Sequence, residues 1–131
     1  MSQPKVAVVK AEGIQGNADF MGGSFVRYDQ DVAAIRAAVK KAVELSIGSL
    51  DSIIKPGDRV LIKPNLAFQA SAESFAVVDP RTVEAVVAYV KEESQAAEVW
   101  VGDNPSLGLQ VGRAKPAFTD SGMEAAAYRG G

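Results

Sequence analysis

The chain has 131 residues, 47% of them apolar, a formal net charge of -2 and a pI of about 5.1. That length suits a single domain over residues 1–131, and the apolar content excludes a disordered chain. The slightly acidic balance gives no electrostatic ground for binding nucleic acid.

There are no cysteines and no histidines. Disulfides are therefore impossible, and a cytoplasmic location is the expectation. Zinc and iron–sulfur centres normally draw on Cys or His, so no such cofactor is expected on this chain. Catalysis by a histidine triad or proton shuttle is excluded. The N-terminal MSQPKVAVVK is too short and mixed for a signal peptide, and no apolar run approaches a membrane span.

Residues 5–11, KVAVVKA, read as a buried strand of the parallel kind. A long loop from Glu12 to about Tyr28 follows, with Gly13, Gly16, Gly22 and Gly23. It has neither a dinucleotide fingerprint nor the Gly-Lys-Ser/Thr of a phosphate loop. It could serve as a lid or an oligomer contact, in which case Phe20, Met21 and Phe25 need cover.

A helix is predicted from about Asp29 to Ile47, with Val32, Ile35, Val39 and Val43 at helical spacing. Asp29 or Asp31 suits its N-terminus, and Gly48 its C-terminus. The Lys40–Lys41 pair reads as a solvated face. The run Lys55-Pro56-Gly57-Asp58 reads as a type II turn.

A second strand is predicted in RVLIKPNL, residues 59–66, ending near Pro64, which has no amide donor. The next helix lies in 77–92. Asp79 is its N-cap, Pro80 its first residue, and Val83, Val86, Val87 and Val90 its apolar stripe. A third strand covers 98–102, with Trp100 read as core. Ser121 and Glu124 have capping-box spacing for a helix running to about Tyr128. Alternation of strand and helix argues for a parallel sheet with right-handed crossovers.

Taken in order, RVLIKPNL, DPRTVEAVVAYVKE and VWVGDNPS resemble the N-terminal half of the family known as domain of unknown function 362. The resemblance extends over roughly residues 5 to 125. It implies an α/β fold, a Rossmann-like three-layer sandwich with a parallel sheet. Members are usually longer, and some carry ferredoxin-type cysteines. The expectation is that this chain is truncated, or half of a larger domain. An iron–sulfur cluster could then lie only in a C-terminal part outside it.

In open α/β sheets, ligands bind outside the carboxyl ends of the strands. By that analogy Lys63, Asn65, Arg81, Asp103, Asn104 and Ser106 are candidate ligand-binding residues. Lys63 could offer charge to an anion, or point to solvent. Asn65 could contact a ligand or bond its own loop. Asp103, Asn104 and Ser106 could bind a divalent cation or a hydroxylated ligand, or form a turn stiffened by Pro105. Asp79 reads as a cap, and Arg81 as a surface residue able to reach an anion. No metal site or catalytic residue is assigned.

Two functions stay open. One is a small-ligand (anion or anion–metal) binding half of a larger enzyme-like or iron–sulfur-associated protein. The other is an assembly module that meets a protein partner or itself, because a narrow sheet leaves edges open.

Overall fold

A computed structural model describes residues 5–14, 25–66, 77–104 and 114–131. The elements are α1 (Phe25–Ser46), a 3-10 turn (Leu50–Ser52), β1 (Arg59–Ile62), α2 (Pro80–Glu93), β2 (Glu98–Val101), α3 (Ala114–Asp120) and α4 (Met123–Arg129). This is an α/β arrangement with a parallel pair. β1 and β2 align Arg59 with Glu98, Val60 with Val99, Leu61 with Trp100 and Ile62 with Val101.

The turn before β1 forms as its residues require. Gly57 has φ 88°, a conformation that β-carbon crowding disfavours in other residues. The Asp58 amide donates to the Lys55 carbonyl at 3.0 Å, and the Lys55 amide to Asp58 Oδ2 at 2.7 Å. Gly48, with φ 85°, closes α1 by donating to the Val43 carbonyl.

Helix α2 is the centre of the packing. The Asp79 carboxylate caps it, accepting from the Arg81 amide at 2.9 Å, and Pro80 occupies its first turn. Val83 and Val87 pack with Leu66, Val77, Ala117, Met123 and Ala126, and reach the strand residues Ile62, Val99 and Val101. Tyr89 and Val90 pack with Leu50, Ile54, and the Val39 and Val43 stripe of α1. Burying one such valine is worth about 1.5–3 kcal/mol.

The sheet has an inner and an outer face. Val60, Ile62, Val99 and Val101 point toward the helices, while Arg59, Leu61, Glu98 and Trp100 lie on the exposed phase of the pleat. Trp100 is 55% exposed, which corrects its reading as core. A valine-rich flank marks a strand but not which face is covered. Among the described residues no element covers this outer face, so one helix layer on one sheet face is what stands.

Three further expectations are corrected. Residues 5–11 form no strand, and Val6 and Val8 are 88% and 91% exposed. Side-chain propensity does not supply the partner edge that a strand needs. Helix α1 begins four residues before Asp29, so Asp29 and Asp31 lie inside it rather than capping it. At the C-terminus, Ser121 and Glu124 form no capping box. Gly122 precedes α4 with φ 78°, the Ser121 hydroxyl donates to the Phe118 carbonyl, and Glu124 accepts from Thr119 Oγ1 at 2.7 Å. These contacts link α4 to α3, which the sequence did not signal. Pro116 sits in the first turn of α3, where an amide has no helical partner to lose. No helix among the described residues is long and apolar enough to cross a membrane.

Candidate functional site

Parallel pairing in register carries both chains past their strands at the same end of the sheet. The Gly102 amide extends the ladder, donating to the Ile62 carbonyl at 3.0 Å. Lys63 leaves β1, and Asp103 leaves β2, one residue beyond that bond.

Their side chains meet. Lys63 Nζ lies 2.6 Å from Asp103 Oδ1. The two ends of the pair differ sharply, since the Lys63 side chain is 67% exposed and that of Asp103 only 8%. The second carboxylate oxygen of Asp103 accepts from the Leu66 amide at 2.9 Å. Lys63, desolvation and the amides of Leu66 and Asn104 act on the Asp103 carboxyl. The hydrogen bond from Lys63 is the largest influence, and the net effect holds the carboxyl below its usual range. Asp103 is thus a buried anchor. It fastens the loop after β1 to the end of β2 and orients an exposed ammonium, which has three donors and gives one to Asp103.

The other candidates divide. The Asn65 carbonyl accepts from the Val78 amide at 3.0 Å, closing the loop that leads into α2. Asn104 is exposed beside Asp103. Ser106 and Pro105 lie outside the described residues, as do Phe20 and Met21. Arg81 does not join the Lys63 group and is not on the surface. It is 3% exposed, and Nη1 lies 2.8 Å from Asp31 Oδ2 while Nη2 lies 2.5 Å from Asp79 Oδ2.

Arg81 belongs to a second polar cluster where the start of α2 meets α1 and α4. Asp31 is also 3.0 Å from Arg27 Nη2. Arg129 Nε pairs with Glu84 Oε2 at 3.1 Å, another Arg129 donor reaches Asp29, and the guanidinium stands 5.2 Å from the Tyr28 ring centroid. Burial, aided by Glu84, pushes the Tyr28 phenol upward. The sequence carried one signal for this cluster: Asp31 falls in helical phase with Tyr28 and Ile35, so a carboxylate sits on the apolar side of α1. Among the described residues no group of three or more acidic side chains is placed to hold a metal ion.

The profile of the family described as Domain of unknown function (DUF362) matches residues 60–131, more than half of the chain. The chain belongs to the DUF362 family. The matched part opens on β1 and includes Lys63, Asp79, Arg81 and Asp103. A thylakoid-associated protein of Synechocystis sp. is 31% identical over 85 residues, covering 65% of this chain and 26% of that protein. The chain therefore spans about a quarter of that relative's length. No solved structure matches the chain.

Proposed function

We propose that this DUF362 chain is the small-ligand-binding part of a larger enzyme-like protein, and that it takes an anion, or an anion with its metal, at the carboxyl end of β1 and β2. The observation that carries the reading is the Lys63–Asp103 pair, with its exposed cation held by a buried, doubly anchored carboxylate. An ammonium held this way loses little rotamer freedom when an anion arrives. Because Asp103 neutralises much of the charge, the ligand is a small polar anion bound through several contacts, not a polyanion. Asn65 and Asn104 supply neutral donors and acceptors around it. Arg81, engaged with Asp31 and Asp79, is left out of the site.

The wider fold in this reading is Rossmann-like, with the third layer supplied from outside the described residues. The location is cytoplasmic. The relative's thylakoid association makes a membrane surface the competing place, and fractionation of cells expressing the chain decides between them. Any iron–sulfur cluster of the larger protein draws its cysteines from outside these 131 residues, because none is present here.

The test is titration with inorganic phosphate, with and without magnesium, followed by amide chemical shifts. Shifts confined to Lys63, Asn65 and Asn104, and at least about tenfold weaker binding by Lys63→Ala, are expected for a charge-assisted contact. Equal affinity in that variant removes Lys63 from the site. No shift in the wild type at millimolar phosphate removes the anion reading.

A further inference from the structure

We propose that the outer face of the β1–β2 pair is the contact surface of a weak twofold dimer between two copies of this chain. The inference is independent of the Lys63 site, which lies at the ends of the strands and not on their face.

The face carries four residues. Leu61 and Trp100 are 61% and 55% exposed and stand side by side in the ladder. Arg59 and Glu98, also exposed, form the neighbouring rung, and the Arg59 guanidinium lies 5.7 Å from the centroid of the Trp100 ring. An aromatic and an aliphatic side chain together on a sheet face that no element among the described residues covers are a surface that β-proteins ordinarily cover with a second layer.

Charge and register select the occupant. A twofold axis running parallel to the strands, midway between two apposed faces, places β1 of one copy over β2 of the other at the same level. Arg59 then faces Glu98 of the second copy and Glu98 faces its Arg59. Leu61 faces Trp100, and Trp100 faces Leu61. Every position meets its chemical complement twice, as an isologous contact requires. An axis perpendicular to the strands reverses one copy and sets the charged rung over the apolar one. The complementarity thus specifies a second copy, and one orientation of it.

The expected strength follows from the area. Two apolar side chains per copy bury far less than the ~800 Å² per partner of a standard stable interface. The dimer is therefore concentration-dependent and exchanges rapidly. It also differs from the pairing of strand edges expected from the sequence, because edge pairing runs through backbone groups and is indifferent to Arg59 and Glu98.

Trp100 is the single tryptophan of the chain, so its emission reports on this face alone. The experiment is sedimentation velocity with parallel tryptophan fluorescence over a concentration series of the 131-residue chain. The mass should rise toward a dimer in the same range in which Trp100 emission shifts to the blue. Arg59→Glu and Glu98→Arg, each shown folded by circular dichroism, should each dimerise at least about tenfold more weakly, because like charges then face each other. An equimolar mixture of the two should recover the dimer and the blue shift, since each variant complements the other. If either charge variant fails to fold, Leu61→Ser, at an exposed position, takes its place and should weaken association. Four results overturn the proposal: a monomer up to about 1 mM, the weak end of specific affinity; a dimer whose Trp100 emission stays solvent-like; a monomer with buried-indole emission at every concentration, which assigns the cover to the chain's own loops; or folded charge variants whose mixture stays monomeric.

Discussion

The Arg81 guanidinium and the Asp31 carboxylate lie 2.8 Å apart with both side chains buried, although 50 residues separate them in the chain. This contact ties the first turn of α2 to α1, and Asp79 holds the same guanidinium from the cap position. One arginine thereby joins helix capping to helix packing.

Replacing Arg81 with Met should cost about 3–5 kcal/mol, the range for removing one partner of a buried ion pair. The methionine fills much of the volume but leaves Asp31 and Asp79 without the guanidinium. Asp31→Asn should cost less, because Arg81 keeps Asp79. Urea unfolding at neutral pH measures both. Equal, small losses in the two variants would show that the pair does not hold the helices together.

Asp103 should contribute to the acid limb of stability. Its carboxyl, held low chiefly by Lys63, binds its proton less readily in the folded state than in the unfolded chain. A depressed folded value means the contribution is complete above the unfolded value, about 3.9. It is lost as pH falls through the lower, folded one. Urea midpoints of wild type and Asp103→Asn between about pH 2 and 6 should therefore converge toward the acid end, the wild type losing more than the variant. Parallel curves would remove Asp103 from the acid response.

Gly130 should resist any side chain. A β-carbon there would stand 2.7 Å from Val87 Cβ, 2.8 Å from Val87 Cγ1 and 3.0 Å from the Glu84 carbonyl oxygen. Its φ of -71° is open to any residue, so the constraint is the approach of α4 to α2 and not backbone conformation. Gly130→Ala should cost about 1–3 kcal/mol, as overpacking does, with a matching fall in thermal midpoint. An unchanged melt would show that the end of α4 does not press on α2.

Tyr28 should be slow to ionise. Burial and the neighbouring Glu84 both disfavour the phenolate, and Arg129 only partly offsets them. Spectrophotometric alkaline titration of the wild type should contain a late phenol component that ionises only as the protein unfolds, to which Tyr89, also raised by burial, contributes beside Tyr28. Tyr28→Phe should lose the Tyr28 share of it. Loss of no such component in that variant would place the phenol in water.

How much of this could be read in advance depended on whether the cause was local. Helix α2 was legible throughout: Asp79, Pro80 and the valine spacing act within a few residues of one another, and the helix spans Pro80–Glu93. The Lys55–Asp58 turn and the Gly48 terminus were legible for the same reason. The candidate site was half legible. That Lys63 and Asp103 lie at the carboxyl ends of parallel strands followed from the alternation of elements; that those two strands are neighbours did not. That Asp103 would be the buried anchor and Lys63 the exposed group did not, because burial depends on how the loop through Leu66 folds over the end of β2.

Legible from the residues alone were the helix periods, the Asp79 cap with Pro80, the turns at Gly48 and Gly57, the strand–helix–strand order from β1 to β2, and the family. These arise from steric and hydrogen-bonding preferences acting over one or two turns of chain. Packing between distant segments alone made Arg81 internal, turned Trp100 outward and left residues 5–11 without strand structure. Each of these depends on a partner distant in sequence. Whether that partner meets the residue is settled by packing, since a lone side chain carries the same propensity in either outcome.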